Sequence, residues 1–149
     1  MLAAPPFNYL ETLDKVDDAI ESNAELARAI VRVGLVNFQP QDVTQAGGAE
    51  PMIPPRWRGC AKRLDIDKAR STLRQFYRDW SAEGKYERDI CFGPIFRALE
   101  AQKESRPKDA PPLRVLVPGA GLGRLVFELC AKGYVSEGNE ISYHQLLAS

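Results

Sequence analysis

The stretch from Leu113 to Glu140, LRVLVPGAGLGRLVFELCAKGYVSEGNE, limits the possible folds more than any other part of the chain. Leu113, Val115, Leu116 and Val117 make a short apolar run flanked by Pro112 and Pro118, which predicts a buried parallel strand. Gly119, Gly121 and Gly123 follow at alternate positions. An apolar helix is predicted from about Leu122 to Lys132, with Gly133 as its stop because a residue without Cβ takes the left-handed C′ conformation easily. A second strand is predicted through Tyr134 and Val135. Glu140 stands near its end, about 21 residues after Gly119, close to the ~20 that separate a glycine-rich turn from a ribose-binding acid.

Each residue type suits a nucleotide for its own reason. Bare glycines let a ligand approach the backbone, a helix N-terminus offers unpaired N–H groups, and a carboxylate accepts bonds from ribose hydroxyls. The bland alternative is a tight connection with no ligand. The dinucleotide pattern G-x-G-x-x-G would place its third glycine at Arg124, which argues against a nicotinamide cofactor. The spacing is instead the one favoured by S-adenosylmethionine (SAM) methyltransferases. Many of these carry an acid two places before the first glycine, where this chain has Val117.

With 149 residues and 44% hydrophobic content, the chain holds one modest domain with a real core. Basic and acidic residues balance at 20 each, so no net field points to nucleic acid or an anionic membrane. No apolar run approaches the ~20 residues that span a bilayer, and the N-terminus lacks a signal-peptide layout. The expected location is cytoplasmic, with the nucleus as a second compartment. Cys60, Cys91 and Cys130 are far apart and lack the close pairs of zinc sites or disulfide frameworks, so reduced thiols and no metal are expected.

The N-terminal part reads as helical. Tyr9, Leu10, Leu13, Val16 and Ile20 share a face, and Ser22 with Glu25 makes a capping-box pattern before Leu26, Ala29, Ile30 and Val33, ending at Gly34. Either two helices meet near Ser22 or one runs through it. A Pro- and Gly-rich loop is predicted over 37–59, in which Trp57 between Arg56 and Arg58 docks the loop rather than stacking a base. Asp65 or Asp67 is a candidate cap for a helix whose core face carries Ala69, Leu73, Phe76, Tyr77 and Trp80. Arg70, Arg74 and Arg78 form a row beside that face, flanked by Gln75 and Asp79, and such rows are ordinarily solvated. Gly84 is expected to end this helix, and Gly93 and Pro94 to break the next. Ser142 and Gln145 suggest a final cap. His144, the only histidine, has no visible partner for general-base work.

Two separated segments, STLRQFYRDWSAEGKYERD (71–89) and VLVPGAGLGRLVFEL with GYVSEGNE, resemble the carnosine N-methyltransferase family, and the helix DDAIESNAELARAIV resembles it weakly. The resemblance implies a SAM-dependent enzyme that methylates an imidazole nitrogen of the dipeptide carnosine to give anserine. It implies that Gln75, Arg78, Gly119 and Glu140 bind SAM, and Val117 agrees with this family's own Val-Pro-Gly turn. Arg78 would fork the SAM carboxylate. It assigns no catalytic residue to this chain, because the family places those positions beyond the second strand.

The expected fold is therefore α/β. An N-terminal helical region (1–112) precedes the first β-α-β unit of a Rossmann-like methyltransferase sheet (113–149), truncated after the second strand, as in a fragment of a full enzyme. The oligomeric state is not fixed by the sequence. The competing expectations are a non-catalytic helical interaction module that partners a full-length homologue, and a fragment of a nicotinamide-dependent oxidoreductase.

Overall fold

Helical apolar spacing in the first two thirds of the chain, then a strand, glycine turn, helix and strand, set the order of elements in the computed structural model, which describes residues 8–38 and 57–149. The chain forms two compact units, Met1–Ala61 and Lys62–Ser149. Most of the loop expected over 37–59, Arg56 included, lies outside the described residues.

In the first unit, helix α1 spans Tyr9–Phe38 without a break. Of the two arrangements open at Ser22, the single helix is the one observed, and Ser22 lies in its interior rather than at a cap. The helix also runs past Gly34, which is buried beside Leu35. An interior glycine costs only about 1 kcal/mol relative to alanine, too little to stop a helix of this length.

The second unit carries α2 (Arg63–Trp80), α3 (Lys85–Glu104), β1 (Arg114–Pro118), α4 (Arg124–Ala131), β2 (Val135–Asn139) and α5 (Tyr143–Leu146). Neither Asp65 nor Asp67 is the N-cap of α2. That position is Lys62, and Asp65, in the first turn, accepts the Lys62 backbone N–H at 2.9 Å. The expected break at Gly93 and Pro94 is absent, because α3 continues through both. A proline inside a helix removes the bond to the carbonyl four residues back and costs about 3 kcal/mol. Here α3 is anchored on both sides of it. Arg88 grips α2 on one side, and on the other Glu100 accepts the Tyr134 hydroxyl at 2.8 Å.

β1 and β2 are parallel, with Arg114 opposite Val135 and Val117 opposite Gly138. The short α4 connects them and packs on β2. Leu122, Leu129 and Tyr134 make the buried apolar core of this unit. β1 itself is not buried as expected: its residues alternate between exposed and partly covered, and Leu116 is 59% exposed. The cause is its setting, since among the described residues β1 has β2 as its one hydrogen-bonded neighbour. Apolar composition marks a strand able to be covered on both faces, and covering it takes partners beyond its own sequence.

The close approach of β2 to the glycine turn depends on Gly138. A Cβ built there would lie 2.7 Å from Ala120 Cβ and 2.8 Å from Val126 Cγ2, inside contact distance to both the turn and α4. Gly138→Ala should therefore lower stability by about 1–3 kcal/mol through overpacking. Urea denaturation will show this as a lower midpoint at unchanged slope, and an unchanged midpoint would mean that the turn yields without cost.

Candidate functional site

The glycine turn has the backbone conformation that its sequence demands. Gly119, Gly121 and Gly123 have φ of +63°, +59° and +73°, a region closed to most side chains. The turn is bound tightly by the chain itself. The N–H of Ala120 donates to the Asn139 carbonyl at 2.8 Å, that of Gly119 to Asn139 Oδ1 at 3.3 Å, that of Gly121 to Glu140 Oε2 at 2.9 Å, and that of Gly123 to the Ala120 carbonyl at 3.0 Å. The N–H groups of the turn itself are thus committed to holding it, and the helix N-terminus expected to face a ligand begins after them, at Arg124. What the turn offers instead is room, since no atom lies within 4 Å of a Cβ built on Gly119.

The other wall comes from the end of α2, where four consecutive residues, Arg78 to Ser81, take part in three separate interactions. Arg78 donates through Nε to Asp79 Oδ1 at 2.8 Å and through Nη2 to Asp79 Oδ2 at 3.4 Å. The pair raises the Arg78 pKa above its ordinary value, chiefly through that hydrogen bond, and keeps the guanidinium charged. Trp80 Nε1 donates to the Leu122 carbonyl at 3.3 Å, and its ring lies 5.5 Å from that of Phe127. Arg124, at the place where a dinucleotide pattern needs glycine, stacks 4.9 Å over the same indole and pairs with Glu128 at 2.8 Å. Ser81 Oγ accepts the Gly84 N–H at 3.1 Å and closes the corner into α3.

Arg88 on α3 fixes that corner from within. It is buried, and its two terminal nitrogens donate to the carbonyls of Arg78 at 2.6 Å and Ser81 at 2.9 Å. A cation at the C-terminus of α2 also suits the helix dipole. The bare Gly84 makes room for it, because a Cβ there would collide with the Arg78 carbonyl.

These pieces enclose a cavity of about 330 Å³ lined by Arg78, Asp79, Glu87, Val117, Gly119 and Gly121, among others. Of the residues expected to bind SAM, Arg78 and Gly119 line this hollow together. Glu140 lies across the turn and lines a second hollow of about 400 Å³, also bordered by Trp80, Ala120 and Gly121. Gln75 lines neither, and its side-chain oxygen is buried without a hydrogen-bond partner. Arg70 and Arg74 are exposed. The sequence did not single out Asp79, Arg88 or Asn139 for the site. The adjacent Arg-Asp pair of opposite charge was the one local signal available, and the other two act through tertiary contacts alone.

Glu140 is pinned at both oxygens, accepting the Ser142 N–H at 2.8 Å as well as that of Gly121. The backbone N–H of Ser142, then that of Gly121, pull its pKa below the ordinary value of 4.5 by favouring the charged form. Each oxygen keeps a further lone pair for a hydroxyl donor. A depressed folded pKa contributes stability above the unfolded value, and that stability is lost as pH falls through the folded one. The Glu140→Gln variant should accordingly be less stable than wild type at neutral pH. The gap should close on acidification below about pH 4.5, and urea titrations across that range will measure it.

A family model described as carnosine N-methyltransferase matches residues 55–149, which include the α2–α3 corner, the glycine turn and Glu140. The rat carnosine N-methyltransferase is 38% identical over 137 residues, covering 92% of this chain and 32% of the relative. The mouse protein is 39% identical with the same coverage. The fission yeast protein is 36% identical over 142 residues, covering 95% of this chain and 35% of its own length. The chain thus spans about a third of the length of these curated relatives, and it belongs to the carnosine N-methyltransferase family.

Proposed function

We propose that the chain forms the SAM-binding opening of a Rossmann-like methyltransferase that transfers a methyl group to an imidazole nitrogen of carnosine, giving anserine. The observation that carries the reading is the cavity in which a charged, ion-paired Arg78 lies with the open backbone of Gly119, while Glu140 clamps the far side of the same turn. The residues present suit the cofactor. Arg78 has a planar fork for the methionine carboxylate, the space over Gly119 is free, and Glu140 is held ionised for the ribose hydroxyls. Gln75, with a buried oxygen that lacks a partner, supplies an acceptor close to the same helix turn.

Bound SAM supplies an electrophilic sulfonium methyl. The chain's own residues orient it. Arg78 would take the methionine carboxylate and Glu140, across the turn, the ribose hydroxyls, while the Trp80 bond to Leu122 ties the α2 side to the turn between them. Alignment of this kind is the main protein contribution to an in-line methyl transfer, together with an acceptor nitrogen left unprotonated. No residue of this chain is proposed to bind the dipeptide.

Isothermal titration of this chain, about a third of its relatives' length, should show only weak SAM binding and no competition by NAD. Arg78→Ala should weaken SAM by roughly tenfold to a hundredfold, the loss of a bond to a charged group worth about 1.5–3 kcal/mol. NAD binding in preference to SAM would reverse the assignment. Anserine formation from carnosine by a protein of the relatives' full length that carries this segment, followed by mass spectrometry, tests the acceptor.

A further inference from the structure

The cavity beside the glycine turn holds two opposite charges side by side, and only the cation has been given a ligand so far. Asp79 has a side chain 12% exposed against 48% for Arg78. A carboxylate this deep carries a large desolvation cost unless its oxygens are satisfied. Among the described residues its hydrogen-bond donor is Arg78, through Nε and Nη2. Two carboxylate oxygens offer about four acceptor sites, so roughly half of the capacity of Asp79 is left.

The geometry of Arg78 completes the picture. Asp79 takes the side edge of the guanidinium, formed by Nε and one terminal nitrogen. The end edge, formed by the two terminal nitrogens, keeps its N–H groups for a second carboxylate. The turn side of the cavity has no acid of its own, being made of Val117, Pro118, Gly119, Ala120 and Gly121, with Leu125 and Arg124 behind, the latter already paired with Glu128. Glu87 also lines the hollow, but from the exposed first turn of α3.

We propose that Arg78 and Asp79 form a zwitterion-recognition pair, with Asp79 accepting the α-ammonium group of the methionine part of SAM while the end edge of Arg78 takes its α-carboxylate. The inference rests on the SAM reading above and adds an ammonium-binding residue supplied by α2. An α-amino acid head carries both charges on neighbouring atoms, and an Arg–Asp pair presents the complementary charges in the same order. Binding replaces water on two charged groups that are already held in place, so little further side-chain ordering is needed.

Titration with three ligands and two proteins tests this. The ligands are S-adenosylhomocysteine, its analogue lacking the α-amino group, and methylthioadenosine, which lacks the amino-acid head entirely. Asp79→Asn should weaken S-adenosylhomocysteine by roughly tenfold, weaken the deaminated analogue far less, and leave methylthioadenosine within about twofold. An equal loss on all three would make Asp79 a residue that only supports the fold and would overturn the proposal. Equal losses on S-adenosylhomocysteine and its deaminated analogue would overturn the ammonium contact and leave Asp79 acting through Arg78 alone. If the variant does not fold, wild type decides: equal affinity for the two ligands that differ only in the amino group refutes the proposal. Failure of wild type to bind any of the three would refute the SAM reading itself.

Discussion

The indole N–H of Trp80 donates to the carbonyl of Leu122, and through this bond a helix and a glycine turn 42 residues apart in sequence become two walls of one site. The hydrogen bond alone is worth on the order of 1 kcal/mol. It works because the ring is also packed on Phe127 and covered by the Arg124 guanidinium, so the donor has little freedom to leave its acceptor. It ties the α2 side of the cavity to the turn, as Arg88 ties it to α3. Arg78 and Asp79 precede Trp80 directly, and their positions relative to Gly119 follow from where the indole docks.

The β-α-β part was readable in the sequence because its signals are local. Positive φ values at Gly119, Gly121 and Gly123 are required by the backbone path, and the bond from Gly121 to Glu140 joins two ends of one short unit. The presence of helix α2 was likewise legible from its apolar spacing, but the face expected to be core is not buried: Tyr77 is 60% exposed, and the buried residues of the helix are Thr72 and Asp79. Other features were not, and for a common reason. The continuity of α3 through Pro94 depends on bonds from Arg88 and Tyr134 to distant residues, whereas a proline read locally predicts a stop. The partial exposure of β1 reflects its neighbours rather than its composition.

The candidate site shows the same division. Arg78, Gly119 and Glu140 were marked by residue type and by family resemblance, and Arg78 and Gly119 lie in one hollow with Glu140 across the turn. Asp79 could have been suspected from its adjacency to Arg78, but its depth could not. Gln75 remains apart from both hollows with an unpartnered oxygen, a polar group whose burial the protein's own contacts do not explain. Asn139 and Glu140 accept the N–H groups of the turn ahead of α4. Rigidity, more than donor supply, is what those residues give the turn.

Arg88 works like a gauge block set between two helices. Its planar fork touches the carbonyls of Arg78 and Ser81 at once, so it fixes a length along α2 as well as an angle between α2 and α3. A lysine, with one terminal atom on a flexible stem, could satisfy either carbonyl but could not hold the interval between them. Because the gripped carbonyl belongs to the residue whose side chain reaches into the cavity, tolerance at the corner becomes tolerance at the guanidinium. The precision with which the guanidinium of Arg78 is placed in the cavity is set by a neighbour that holds its backbone and not its side chain.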